Sequence, residues 1–455
     1  MRRSYARSYG IVGGGISGLT AAYRLRCLLG DAATITLFDP ADALGGTLRT
    51  GRLADHPVDV GAEAFLARRP EVPALVAELG MADALIDTTG VQPLLYAGGT
   101  LHPLPSGTVN GIPTSAESLS GLVDEATLAQ VVAEPARPLS WEPGADPAVA
   151  DVVGDRFGAQ VVARSVDPLL GGVYAGSAAT IGLRSAVPQV AVALDGGAAS
   201  LTEATRAALP GSSGGPVFRA VGGGYRRLVD ELTRQGRAEV VQTAVTRLSR
   251  DGDGWHLTGA DGRGWHADAA VLAVPAPVLA GVVVDALPSV AAAARRIPAA
   301  SSVVVALAVP RGTALPDRSG VLVASGEPLR AKGITLLSRK WGRPTDVELV
   351  RLSFGRFGDD VARTATDDRL VSWAIDDVSR VFGVAVDPVE VLVARWIDAM
   401  PQYGPGHCAL IAEARASLPD TLALAGNYLD GIGVPACIAS GAAAAERLLT
   451  AAVAT

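Results

Sequence analysis

Three glycines near the start, Gly13-x-Gly15-x-x-Gly18, constrain this chain more than any other feature. Tyr9 to Val12, before them, is short and apolar. Ser17 to Leu29, after them, carries Leu19, Ala22, Leu25 and the pair Leu28-Leu29 at helical spacing. Thr34 to Phe38 is rich in β-formers. The pattern predicts strand, glycine turn, helix and strand, the opening of a βαβ unit. In such a turn the first glycine permits the bend. The second lets a pyrophosphate approach the backbone, and the third lets helix and strand pack closely. The phosphates would sit at the helix N-terminus, where unpaired N–H groups and the dipole favour negative charge. Asp39 ends the second strand, about 20 residues past the last glycine, where a carboxylate suits ribose hydroxyls.

Composition narrows the classes. With 455 residues, 49% hydrophobic and 19% charged, the chain can bury a large core and spans about three domains of usual size. Net charge is −7, and no basic stripe with interleaved aromatics occurs, which excludes nucleic acid as a partner. Cys27, Cys408 and Cys437 are far apart and odd in number, so a disulfide framework is not expected. No CxxC, HExxH or EF-hand spacing is present, and the histidines at 56, 102, 256, 266 and 407 show no ligand spacing. No metal site is expected. The Arg2-Arg3 pair is followed by an apolar run that breaks at Gly13-Gly14-Gly15, unlike a secretory signal. Ala269 to Val284 is interrupted by Pro275 and Pro277 and is short for a membrane span. The expectation is a soluble cytoplasmic protein with no transmembrane segment, peripheral membrane contact by the middle helices being left open.

Further along, Glu71 to Leu79 reads as a helix and Leu94 to Pro105 as a hairpin and loop. Residues 113–208 carry amphipathic helical patterns, clearest in Val152 to Val166, and Pro210 to Pro216 is a linker. Val240 to Leu248, Gly254 to Thr258 and Trp265 to Val274 read as three strands, with Asp251-Gly252-Asp253-Gly254 and Asp261-Gly262 as turns. Ser301 to Val309, Gly320 to Ala324, Ile334 to Arg339 and Glu348 to Phe354 alternate like sheet. Asp367 to Phe382 is a helix, Thr421 to Ala425 a last buried strand, and Pro435 to Thr450 a last helix. Gly222-Gly223-Gly224 reads as a tight turn starting a helix, and Gly211-x-Ser213-x-Gly215 as linker rather than a hydrolase elbow. Pieces of a dinucleotide fold thus stand at the start, middle and end. That predicts one discontinuous cofactor domain with the remainder inserted.

A second glycine pair, Leu44-Gly45-Gly46-Thr47, follows the ribose acid directly, as where the chain continues along FAD. Near the C-terminus, Gly426 to Pro435 opens a helix with small residues. To these runs add Asp59-Val60-Gly61-Ala62-Glu63, Leu104-Pro105-Ser106-Gly107, Gly171-Gly172-Val173-Tyr174-Ala175-Gly176 and Met400-Pro401-Gln402-Tyr403-x-x-Gly406-His407. Together, along nearly the whole chain, they resemble the protoporphyrinogen/coproporphyrinogen oxidase family. Its members are flavoproteins of the amine-oxidase-like superfamily.

The resemblance implies an α/β plus α+β architecture. A Rossmann-like FAD-binding domain would comprise residues 1–67, 209–290 and 413–455. A mixed-sheet substrate domain would comprise residues 68–112 and 291–412, and a helical domain residues 113–208. It implies an FAD-dependent oxidoreductase acting on CH–CH groups. The reaction would take coproporphyrinogen III to coproporphyrin III with oxygen, releasing hydrogen peroxide, in haem biosynthesis. Protoporphyrinogen IX oxidation, an amine oxidase-like activity and a non-catalytic porphyrin-handling role are the alternatives. Carried over residue by residue, Gly13, Gly14, Gly15, Ile16, Ser17 and Gly18 would hold the pyrophosphate, and Asp39 with Pro40 the ribose. Thr47 and the turn Gly61, Ala62, Glu63, Ala64 would lie along the ribityl chain and ring. Val245 would meet adenine, Trp396 would pack at the cofactor, and Ile432, Gly433 and Val434 would face the isoalloxazine. The flavin does the chemistry, so no catalytic side chain is singled out. Eukaryotic relatives carry arginine where Glu63 and Pro93 stand, the second associated with a substrate propionate. Ser338-Arg339-Lys340-Trp341 resembles the Gram-positive branch, and Arg339 and Lys340 are expected to meet substrate carboxylates.

Overall fold

The computed structural model describes residues 7–211, 215–342 and 345–453. Of the expected linker, Ser212 to Gly214 lie outside the described residues. A five-stranded parallel sheet runs in the spatial order Glu239–Val241, Thr34–Phe38, Ser8–Val12, Ala269–Leu272, Leu422–Leu424. Three segments of the chain, each separated by well over a hundred residues, therefore meet in one sheet. Its central strands are apolar on both faces because helices cover both. Leu19, Leu25 and Leu37, each 2% exposed or less, contribute roughly 2 kcal/mol apiece by burial. The C-terminal helix Val434–Val453 lies against the first helix, Ile16–Leu29. A Cβ on Gly441 would stand 2.2 Å from the Ser17 carbonyl oxygen, so only glycine permits this approach.

Two expected strands are each divided, and for a visible reason. Val240 to Leu248 breaks at a tight bend where the Thr243 N–H donates to the Val241 carbonyl at 2.9 Å. Glu239–Val241 joins the parallel sheet, while Val245–Asp251 starts the antiparallel meander with Gly254–Gly259 and Gly264–Ala267. Trp265 to Val274 breaks at Asp268, whose carboxylate accepts from the Ser8 backbone N–H at 2.6 Å and hydroxyl at 2.8 Å. That pins the crossing from meander to parallel sheet.

The second large sheet has seven strands, in the order Glu390–Pro401, Ala299–Pro310, Val347–Phe354, Gly333–Leu336, Gly320–Val323, Leu94–Ala97, Thr100–Pro103. All neighbours are antiparallel except Gly320–Val323 with Leu94–Ala97. One face packs on the helix Asp367–Phe382 through Val303, Val305, Leu352 and Phe354. The strand predicted over Ile334 to Arg339 stops at Leu336. Leu337–Trp341 is instead a helical turn ending at Gly342, whose φ is +60°. Leu337 and Trp341, four residues apart, both bury against Leu349, and burying that pair favours a helical turn over extension. The helix predicted over Val152 to Val166 is interrupted at Gly158, where φ is +93°. Val149–Phe157 precedes the break, and a π-turn at Val162–Val166 leads into the helix Asp167–Tyr174. No helix among the described residues is long and apolar enough to cross a membrane.

Candidate functional site

The glycine turn is built as its sequence requires. Gly13 has φ +107°, and a Cβ there would lie 2.4 Å from the Ala273 carbonyl oxygen. A Cβ on Gly18 would lie 1.9 Å from the Gly13 carbonyl oxygen. Gly15 differs: a Cβ there meets nothing within 4 Å. Its backbone is extended and caps the first helix, with no side chain hydrogen-bonded to the helix N-terminus. Ile16 and Ser17 begin that helix and are buried.

Asp39 does local work. Its Oδ2 accepts from the Gly14 N–H at 2.7 Å and its Oδ1 from the Ala41 N–H at 2.9 Å. It thus ties the end of the second strand to the turn, leaving its other lone pairs for a ligand. Pro40 beside it is exposed. The second glycine pair folds back on the first: the Gly45 N–H donates to the Gly14 carbonyl at 2.9 Å, and a Cβ on Gly46 would lie 3.3 Å from the Gly15 Cα. Val245 opens the meander, buried in a cluster with Phe38.

From Gly46 the chain continues to Thr47, which packs against the turn Gly61 to Ala64. The Ala62 N–H donates to the Thr47 carbonyl at 3.2 Å, and a Cβ on Gly61 would meet that same oxygen at 1.8 Å. Trp396, on the Glu390–Pro401 strand, donates its indole N–H to the Val60 carbonyl at 2.7 Å, and its ring edge stands 3.1 Å from the Cβ position of Gly61. At the far end Val434 starts the C-terminal helix, with Ile432 half-buried and Gly433 exposed just before it. Asn427 donates to the Ala399 carbonyl at 3.0 Å and Tyr403 donates to the Asn427 carbonyl, tying this turn to the end of the Trp396 strand. Gly15, Asp39, Thr47, Gly61 to Ala64, Trp396 and Ile432 all remain part-exposed amid a closed interior. Among them, Thr47 and Trp396 meet at Gly61, and Gly15 meets the second glycine pair at Gly46.

Arg339 and Lys340 are placed differently from expectation. Lys340 Nζ lies 3.1 Å from Glu63 Oε1, and the Trp341 indole N–H donates to the same oxygen at 2.7 Å. Both side chains of the ion pair are about nine-tenths buried or nearly so, at 15% and 11% exposure. Arg339 pairs with Glu348 at 3.1 Å. Burial alone would push the Glu63 carboxyl up. The charges of Lys340 and Arg351, with the hydrogen bonds from Trp341 and Lys340, outweigh it and hold the group below its ordinary range. Lys340 is therefore neither a solvated surface charge nor an open cation.

Sequence reasoning missed Arg351. It lies on the sheet face opposite the helix-covered one, with small or polar neighbours Ser302, Gly333, Thr335 and Ser353. Its Nη2 donates to the Gly61 carbonyl at 2.7 Å. The only local signal is one arginine in the run Val347–Phe354, which is otherwise a sheet-forming pattern. His407 is structural: it stacks on Tyr403 with ring centroids 4.0 Å apart and contacts the Leu429 carbonyl at 3.2 Å. Among the described residues no group of three or more His, Cys, Asp or Glu could hold a metal ion.

A family profile described as flavin containing amine oxidoreductase matches residues 16–449. The coproporphyrinogen III oxidase of Mycobacterium tuberculosis is 62% identical over 445 residues, covering 98% of each chain. The chain belongs to the coproporphyrinogen III oxidase family of flavin-containing amine oxidoreductases. Across this family the protoporphyrinogen oxidase of Bos taurus is 28% identical, covering 97% of this chain and 98% of its own. A solved structure from Exiguobacterium sp. 255-15, provisionally described as a protoporphyrinogen oxidase, superposes with a TM-score of 0.86 at 27% identity. It covers 97% of this chain and 98% of its own. Membership makes the protein a flavin-dependent oxidoreductase.

The glycine turn suits such a cofactor. Gly13 and Gly18 are needed by the protein's own backbone, whereas Gly15 faces open space beside unpaired helix N–H groups. A cradle that a Cβ would fill is the shape a pyrophosphate needs.

Proposed function

We propose that the protein oxidises coproporphyrinogen III to coproporphyrin III in haem biosynthesis, with FAD as cofactor and oxygen as the final oxidant, releasing hydrogen peroxide in the cytoplasm. The observation that carries this reading is the 62% identity, over 98% of both chains, to a coproporphyrinogen III oxidase. When bound, the flavin supplies a two-electron acceptor for oxidation at carbon. The chain's own residues bind and orient. Gly13 to Gly18 hold the pyrophosphate on the first helix, and Asp39, beside Pro40, takes the ribose. Val245 marks the adenine end, and Thr47 with Gly61 to Ala64 lines the middle. Trp396 and Ile432 to Val434 flank the ring. Arg339 and Lys340 serve through the acids they hold, Glu348 and Glu63, the latter in the turn that faces the cofactor.

The domain division follows from the same proposal: residues 1–67, 209–290 and 413–455 for FAD, 68–112 and 291–412 for substrate, and 113–208 as a helical cover. Protoporphyrinogen IX is the second reading, favoured by the bovine relative.

Assay of both porphyrinogens under air and under nitrogen, with chromatography of the products, tests the proposal. Coproporphyrin III should form fastest, with hydrogen peroxide, and only with oxygen present. Faster turnover of protoporphyrinogen IX would replace the first reading by the second. The denatured protein should release FAD rather than FMN. Asp39→Ala should weaken FAD retention by roughly 1–3 kcal/mol, the scale of hydrogen bonds to a charged group. Turnover at saturating FAD should stay near normal, because the ribose is remote from the reacting carbon. A large loss there would misplace Asp39.

A further inference from the structure

A substrate with four carboxylates needs cations at its cleft, because each carboxylate taken from water needs a partner. Arg339 and Lys340 are committed to Glu348 and Glu63. Arg351 spends its Nη2 on the Gly61 carbonyl. One guanidinium on this side of the molecule is left nearly unused. Arg356 follows the Val347–Phe354 strand by two residues. Its Nη1 is buried with no hydrogen-bond partner. Its Nη2 makes one long contact, 3.4 Å, to the Val323 carbonyl. The nearby acids are engaged elsewhere. Asp359 accepts from the Arg356 and Val361 backbone N–H groups at 2.7 and 3.2 Å. Asp167 accepts from the Ala178 N–H at 2.6 Å and the Ser325 hydroxyl at 2.8 Å.

The surroundings point the same way. The helix Asp167–Tyr174 crosses over the guanidinium at Gly171, where a Cβ would stand 2.5 Å from Nη1. Glycine there is what admits the arginine. The Phe357 N–H donates to the Ala175 carbonyl at 2.7 Å, fastening this end of the strand to the Gly171 to Gly176 run. A second cation lies close behind. Lys332 Nζ donates to the Ser302 hydroxyl at 3.0 Å and the Gly355 carbonyl at 2.7 Å, neutral acceptors both. Burial first, then the charges of Arg356 and Arg351, push its amine down to about 7. Among the described residues no ion pair within 4.0 Å includes Lys332, Arg351 or Arg356. Asp167 and Asp359 act on Arg356, and Glu63 and Asp59 on Arg351, from beyond ion-pair distance, so the Arg356 guanidinium has neighbouring acids but no carboxylate bound to it. Such a site gains from an anion that a forked donor can take with two bonds.

We propose that Arg356 anchors a carboxylate of the tetrapyrrole, at the seam between the Asp167–Tyr174 helix and the end of the Val347–Phe354 strand. The proposal rests on the porphyrinogen reading above and adds a residue that the sequence motifs did not single out.

The test uses the flavin-loaded full chain and measures binding of coproporphyrin III, and of its tetramethyl ester, by porphyrin fluorescence. Arg356→Gln should weaken the acid about 10- to 100-fold and leave the ester within about twofold, the range expected on losing a charge-assisted pair. Arg356→Lys should recover part of the loss. Gly171→Ala keeps the charge but puts a Cβ 2.5 Å from Nη1, pushing the guanidinium aside, and should weaken the acid selectively too. Flavin absorbance and melting temperature report whether each variant folds, and the Lys variant is read if Gln fails. Equal weakening of acid and ester, or no change in either, overturns the role of Arg356 while the porphyrinogen reading stands. A wild-type protein that binds neither porphyrin and oxidises neither porphyrinogen overturns both.

Discussion

Gly15→Leu gives a folded, colourless protein. The reason lies in the contrast among the three glycines of the turn. A side chain at Gly13 or Gly18 would collide with backbone oxygens at 2.4 and 1.9 Å, so those substitutions damage the fold itself. A Cβ at Gly15 meets no protein atom within 4 Å and sits on ordinary, negative-φ backbone. The fold tolerates it, and the space it fills is the one proposed for the cofactor's phosphates. The expected result is circular dichroism and a melting temperature like those of the flavin-free wild type, with visible absorbance lost. Flavin retained at the wild-type ratio in Gly15→Leu would remove the phosphates from this turn.

The second large effect is at Lys340. Removing its ammonium leaves Glu63 buried with Trp341 and Arg351 but without its nearest charge. Breaking a largely buried pair from one side costs about 3 kcal/mol, since the remaining charge has been taken from water. Lys340→Ala should therefore melt several degrees lower and hold flavin less firmly, because Glu63 belongs to the Gly61 turn that is proposed to line the cofactor. The pH dependence has a definite sign. Glu63 is held below its ordinary value, so its stabilisation is present above the unfolded value of about 4.3 and is lost as pH falls through the folded value. Without Lys340 the folded value rises, and the acid transition should move to higher pH. The ratio of KM values for coproporphyrinogen III and protoporphyrinogen IX should stay as in wild type. A selective rise for the four-carboxylate substrate, with unchanged acid stability, would instead put Lys340 on the substrate.

These two cases mark what a sequence can disclose. The turn at Gly13 to Gly18 was legible because its determinants lie within a few residues and each glycine has a local reason. The Glu63–Lys340 pair joins residues 277 positions apart, and no spacing rule connects them. The same holds for the Glu390–Pro401 strand, which the alternation did not reveal. It is an edge strand with part-exposed residues along most of its length, so Arg395, Trp396 and Asp398 break the apolar pattern. Its register with Ala299–Pro310, some 90 residues earlier, fixes it. Arg356 was hidden for another reason. An arginine after a strand reads as a solvated surface charge, and only packing under Gly171 shows otherwise.

The order of strands in the parallel sheet also sets when the protein can become an enzyme. The glycine turn is made first, yet the sheet that supports it waits for Ala269–Leu272 and then Leu422–Leu424, its neighbours on one side. Ribosomes add about 5–20 residues per second, so roughly 20–85 s separate the turn's synthesis from its last strand. During that interval the first helix lacks the C-terminal helix that packs on it at Gly441. A nascent chain of this topology completes the sheet behind the glycine turn only once Leu422–Leu424 has been made.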